Sequence, residues 1–108
     1  MNKSDVMSPY IGNFVPDPPI VYTYELAQNY PNPFSGITTI RFTLPNPGNV
    51  ELSIFDSLGR RIVELANRTF TEGPHEIVFD ASTLPAGIYL YQLISDGQTE
   101  SRKLIVLK

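Results

Sequence analysis

From residue 37 onward, apolar and polar positions alternate along the chain. In residues 37–44, Ile40, Phe42 and Leu44 share one face, and Thr39, Arg41 and Thr43 share the other. A period of two with one apolar face predicts a half-buried strand. Residues 50–56 repeat the pattern with Val50, Leu52 and Ile54 inward. Residues 61–66 form a short strand with Val63 and Leu65 on one face, and residues 75–80 another with Ile77 and Phe79 inward. The longest β-rich run, residues 88–94, is apolar on both faces, which predicts a central strand. A last strand covers residues 99–107, with Leu104 and Val106 facing opposite to Ile105 and Leu107. One pair should close the core and the other should lie on the outside or near an edge.

Turn chemistry separates these runs. Pro45-Asn46-Pro47-Gly48-Asn49 is a turn by composition, and Gly59 in Asp56-Ser57-Leu58-Gly59-Arg60 is the expected positive-φ position. Residues 67–74 form a polar connection, residues 81–87 form a corner, and Asp96-Gly97 is a type I′ hairpin signal. No segment sustains a 3.6 period. Six strands after residue 36, and a seventh from residues 21–27, predict an all-β fold: an antiparallel Ig-like β-sandwich. Its expected core contains Ile40, Phe42, Leu52, Ile54, Val63, Ile77, Phe79 and Leu90.

The beginning of the chain is different. Six of the ten prolines (Pro9, Pro16, Pro18, Pro19, Pro31 and Pro33) fall in the first 33 residues. Proline lacks a backbone donor and restricts the residue before it, so this stretch cannot hold a helix. Residues 1–24 are read as a proline-rich extended linker, and residues 25–108 as one sandwich domain. The linker carries Tyr10, Ile11, Phe14, Val15, Ile20, Val21 and Tyr22, some of which could pack on the domain.

With 108 residues and 42% hydrophobic content the chain can bury one real core. It has no cysteine, so disulfides, thiolate metal sites and cysteine nucleophiles are excluded. A single histidine excludes a multi-histidine zinc site and leaves His75 as the sole histidine base. Net charge is −3 with eight basic residues, which argues against nucleic acid as a partner. No apolar run approaches the roughly 20 residues needed to cross a bilayer, so no membrane insertion is expected, and the first residues lead into no signal-peptide apolar region.

Candidate chemistry is sparse. His75 and Glu76 are neighbours on a strand and point to opposite faces, so they form no dyad. The carboxylates are dispersed, and Glu51 and Asp56 have opposite parity, so no pair for glycoside hydrolysis is specified. Asp56 and Asp80 are candidates for a loop calcium site, but aspartate at a turn more commonly caps backbone donors. No catalytic residue, metal ligand or cofactor is therefore expected. An aromatic strip of Tyr89, Tyr91 and Phe55 could form a sugar-binding platform, against the plainer reading that aromatic rings fill a pleated sheet.

Read in order, several segments resemble one family. Leu26-Ala27-Gln28-Asn29-Tyr30-Pro31-Asn32-Pro33-Phe34 looks like its opening, followed by Thr39-Ile40-Arg41-Phe42-Thr43-Leu44-Pro45. Residues 50–60 look like its strand and Gly-Arg turn, and Gly73-Pro74-His75 begins its Gly-x-His strand. Leu84-Pro85-Ala86-Gly87-Ile88-Tyr89 matches the corner before its Gly-x-Tyr strand, and residues 102–108 match its terminal basic-apolar strand. Each piece is weak alone, but the ordered set at matching spacings resembles the C-terminal sorting domain of type IX secretion cargo from Bacteroidota-type bacteria. Ser35-Gly36 departs from the family's more usual Asn-Pro.

The resemblance implies a recognition tag rather than an enzyme. Its partners would be an upstream cargo domain, the outer-membrane translocon of the type IX machinery, and a sortase-like peptidase that usually removes the tag. The cargo would pass through the periplasm and end at the cell surface or be secreted. Because only a short proline-rich stretch precedes the domain, an excised domain is expected, with Met1 not a natural start. The expected partner-recognition residues are Lys103, Leu104, Ile105, Val106, Leu107 and Lys108 with Gly87 and Tyr89, on the idea that a terminal strand offers unpaired backbone groups for strand addition. The alternatives are a carbohydrate-binding or purely structural Ig-like accessory module of a secreted enzyme.

Overall fold

The computed structural model describes residues 20–108. The linker assigned to residues 1–24 lies outside the described residues as far as residue 19. Seven strands follow: β1 (Glu25–Leu26), β2 (Ile37–Leu44), β3 (Gly48–Phe55), β4 (Arg61–Phe70), β5 (Gly73–Asp80), β6 (Gly87–Ser95) and β7 (Gln98–Val106). They form two antiparallel sheets, a three-stranded one ordered β1-β2-β5 and a four-stranded one ordered β4-β3-β6-β7. The described residues contain no helix. The predicted Ig-like sandwich is thus the observed architecture.

The alternation in β2 and β3 sets the core as expected. Ile40, Phe42, Leu44, Val50, Leu52 and Ile54 are all at most 1% exposed. Phe79 is buried, while Val63 and Ile77 are partly buried and pack against the core. Leu90 corrects the sequence reading. It is 42% exposed, and Tyr89, Tyr91 and Leu93 are the buried residues of β6. A run apolar on both faces carries no parity signal, so only the partner strands decide which face turns inward. β6 does lie inside its sheet, between β3 and β7.

β4 also departs from expectation, in length. It runs through Asn67, Arg68 and Thr69, which were assigned to a connection, pairing them with Glu51, Val50 and Asn49. These polar side chains are exposed on an edge strand, where they cost little and discourage pairing with other chains. Two register shifts against β3 leave Leu65 and Ile62 unmatched; Val63 and Leu65 both pack partly buried against the core as expected, and the shift after Leu65 lets Ala66 and Phe70 reach it as well. The Asp96-Gly97 turn has φ of 52° and 77°, positive at both central residues as a type I′ turn requires.

Leu52→Ala should lower the unfolding free energy by about 2–5 kcal/mol, whereas Leu90→Ala should change it by less than about 1 kcal/mol. Urea denaturation of the two variants checks the assignment of faces on β3 and β6.

Candidate functional site at the last strand

The sequence-predicted recognition residues come together along β7 and the start of β6. Gly87 is paired with Val106 and Tyr89 with Leu104. Leu104 and Val106 are at most 1% exposed and close the core. Lys103, Leu107 and Lys108 are exposed, and Ile105 is half-buried on the opposite face. Tyr89 is itself buried, and its hydroxyl donates to the Pro85 carbonyl at 2.6 Å, fixing the corner that leads into Gly87. The Lys108 ammonium donates to the Ser82 carbonyl at 2.9 Å on that same corner.

The outer edge of β7 is not free where the sequence reading expected it to be. The Ile105 amide donates to Asn32 Oδ1 at 2.9 Å, and the Ile105 carbonyl accepts from the Phe34 amide at 3.0 Å. The Leu107 amide donates to the Phe34 carbonyl at 2.7 Å, and the Lys103 carbonyl accepts from Gln28 Nε2 at 2.7 Å. Residues 26–34 thus lie along the edge as a strap. Edge groups further up β7, at Thr99 and Ser101, have no backbone partner among the described residues.

The other side of the strap is tied to β2. The Ala27 amide donates to the Arg41 carbonyl at 2.9 Å, and Tyr30 and Thr39 exchange amide-to-carbonyl bonds at 3.0 and 2.9 Å. Between these anchors sits Asn29, 2% exposed, whose Nδ2 donates to the Pro31 carbonyl and to Thr38 Oγ1. Its amide donates to the Tyr91 hydroxyl at 2.8 Å, and that hydroxyl donates in turn to the Ala27 carbonyl at 2.7 Å. Arg102 Nε reaches the Leu26 carbonyl at 2.6 Å. Phe34, 2% exposed, plugs the far end edge-on against Phe79, with ring centroids 6.5 Å apart.

The strap was invisible to periodicity because it has none. Its available signal was three amide side chains, Gln28, Asn29 and Asn32, within five residues. Such groups can satisfy backbone donors and acceptors where no ladder does.

The remaining candidates take structural roles. Asp56 Oδ1 accepts from the Leu58 and Arg60 amides, both at 2.9 Å, and Asp80 Oδ1 accepts from the Ser82 amide at 2.9 Å. The Arg60 amide bond is the main cause holding the Asp56 carboxyl below the usual range, and the Ser82 amide bond does the same for Asp80. These are turn caps. The described residues contain no cluster of three or more His, Asp or Glu side chains suited to a metal ion. His75 Nε2 lies 2.7 Å from the Thr71 carbonyl, and its ring packs against Phe42 and Phe70. The aromatic strip is not a sugar platform, because Tyr91 is fully buried and Tyr89 is 7% exposed. Stacking on a sugar needs an accessible ring face.

Burial raises the Tyr91 hydroxyl above its ordinary pKa, offset in part by the Asn29 bond and the Arg102 charge. Tyr24, whose hydroxyl donates to the Leu93 carbonyl at 3.0 Å, is pushed from 10.0 up to about 12 by burial and by the Glu100 charge.

Two outcomes follow from this geometry. Tyr91→Phe leaves the Asn29 amide and the Ala27 carbonyl without partners, and should cost about 1–3 kcal/mol in denaturant titrations at neutral pH. Tyr24 contributes its full stabilisation below its unfolded pKa and loses it as pH rises through its folded one. The melting-temperature advantage of wild type over Tyr24→Phe should therefore shrink steadily between pH 10 and 12. An advantage that stays constant or grows across that range contradicts the assignment.

Comparison with known proteins fits this arrangement. No curated protein matches the chain. The family model of the secretion system C-terminal sorting domain matches residues 28–107, from the strap's first edge contact, Gln28, to the last, Leu107. That match spans well over half of the chain, and the family is one of sorting signals rather than enzymes. The chain belongs to the C-terminal sorting domain family of type IX secretion.

Proposed function

We propose that this domain is an export address. It is read by the outer-membrane translocon after the attached cargo has crossed the periplasm, and it is then cut away by a sortase-like peptidase, leaving the cargo at the cell surface or secreted. The observation that carries this reading is the family match over residues 28–107, joined to a fold in which the family's first and last motifs are hydrogen-bonded to each other. A fixed sandwich presents one surface to a receptor, and a proline-rich segment ahead of it is suited to cleavage, which needs accessible extended backbone.

The recognition surface is assigned to Lys103, Ile105, Leu107 and Lys108 with the Gly87 corner. Leu104, Val106 and Tyr89 act from beneath by fixing the strand and the corner. The domain has no catalytic role in this reading. The sugar-binding alternative loses its support with the burial of Tyr89 and Tyr91.

The test is a fusion of the full chain behind a reporter that carries its own signal peptide, expressed in a type IX-competent host. The reporter should appear at the surface or in the medium, and should stay in the periplasm in a strain lacking the translocon. Periplasmic retention in both strains contradicts the reading. Deleting residues 104–108 is a poor substitute, because it removes two core side chains and would block export by unfolding the domain.

A further inference from the structure

Strand register defines a second feature of this end of the molecule. On the outer face of the four-stranded sheet, Ile88 stands opposite Ile105. In the next row Leu90 stands opposite Phe55 on one side and Lys103 on the other, and Phe55 stands opposite Arg61. Directly opposed residues share a face, so Phe55, Ile88, Leu90 and Ile105 form one apolar patch across three strands. Ile88 is 52% and Leu90 42% exposed. The following row, Ser53-Gln92-Ser101, is polar, so the patch is confined to one end of the sheet. Beside it opens a cleft of about 390 Å³ lined by Leu58, Ile62, Pro85, Gly87 and Ile88 and by the Asp56–Arg60 ion pair, whose two charges offset each other. Contiguous exposed apolar surface with a polar rim marks interaction sites.

We infer that this face is a docking surface for a partner protein that presents an apolar protrusion flanked by carboxylates. The inference rests on the sorting-signal reading and names the surface and the chemistry it selects. Charge decides the occupant. The apolar row ends in a cation at each side, Arg61 and Lys103. Lys103 has no carboxylate within ion-pair distance among the described residues, and Arg61 meets Glu64 at 3.3 Å with the two side chains 54% and 34% exposed. Such an exposed pair holds its cation weakly.

The outer face of the other sheet differs in charge. It does carry exposed Tyr30, Ile37 and Val78 and a cleft of about 500 Å³, but its Arg41 is matched by Glu76 at 2.6 Å, and Glu25 and Glu76 already line that cleft. A second copy of this chain is a poor occupant, because a two-fold contact centred on the row would set Arg61 against the copy's Lys103. Strand addition along residues 103–107 is blocked by the strap. What remains is face-on docking, with a protruding apolar side chain seated in the cleft and carboxylates meeting the two cations.

The test uses the full-chain reporter fusion with four variants: Leu90→Glu, Lys103→Glu, Lys103→Arg, and Val78→Glu on the other sheet as control. Leu90→Glu and Lys103→Glu should each lower surface reporter about tenfold or more, while Lys103→Arg and Val78→Glu stay near wild type. Purified variants should melt within a few degrees of wild type. Lys103 is solvent-exposed, so its charge reversal keeps the test decisive even if Leu90→Glu proves unstable. Wild-type-level export of Lys103→Glu, or of a folded Leu90→Glu, overturns the inference while leaving the sorting reading standing. Failure of the unmodified fusion to leave the periplasm overturns the sorting reading and this inference with it. A dimer in sedimentation that Leu90→Glu dissociates, or binding to phosphatidylglycerol vesicles that Lys103→Glu abolishes, would assign the face to self-association or to lipid and overturn the protein partner.

Discussion

The structure depends on a seam. A β-sandwich has two open sides where the edges of its sheets face one another, and each edge carries unpaired amides and carbonyls. Here one side is closed by residues 26–34, which bond to β2 through Ala27 and Tyr30 and to β7 through Gln28, Asn32 and Phe34. Tyr91 reaches out from the core of the four-stranded sheet and pins the middle of the strap through Asn29 and Ala27. Phe34 buries the end of the seam. Leu104 and Val106 can stay buried on β7 because the strand carrying them is held on both sides, by β6 and by the strap.

This arrangement gives the order of the family's motifs a physical meaning. The opening Leu-Ala-Gln-Asn-Tyr-Pro-Asn-Pro-Phe segment and the terminal basic-apolar strand are about 75 residues apart in sequence and adjacent in space. The corner at residues 84–89 joins them from the third side, through the Gly87–Val106 and Tyr89–Leu104 pairings and the Lys108 bond to Ser82. Three of the recognised segments therefore build one end of the molecule. A receptor that reads this end reads a folded surface, because an extended peptide carrying the same residues would lack the register that lines up Phe55, Leu90 and Lys103.

Much of the fold was legible in the chain, for identifiable reasons. β2 and β3 have one apolar and one polar face, so their parity fixed Phe42 and Leu52 inward. The Asp96-Gly97 hairpin and the Gly59 turn were legible because their backbone conformations exclude most other residues. β6 was legible as a strand but not as to face, since Ile88, Leu90, Tyr89 and Tyr91 are all compatible with burial and only pairing with β3 and β7 separates them. The far half of β4 was hidden because an edge strand tolerates Asn67, Arg68 and Thr69. At the candidate site, the last strand was legible as two-faced over residues 103–107, and in the structure it ends at Val106. The occupied edge was missed because it is held by amide side chains and by a single Phe34 bridge, contacts with no periodicity in the sequence.

Native-state hydrogen exchange tests the seam most directly. The Ile105 and Leu107 amides face away from β6 and have no partner in a ladder, so only the strap protects them. With the strap closed they should exchange nearly as slowly as core amides, while the Ser101 amide, on the same edge beyond the strap, exchanges fast. Exchange of Ile105 and Leu107 at the rate of Ser101 would mean that the edge is open and the seam is not what holds the sandwich together.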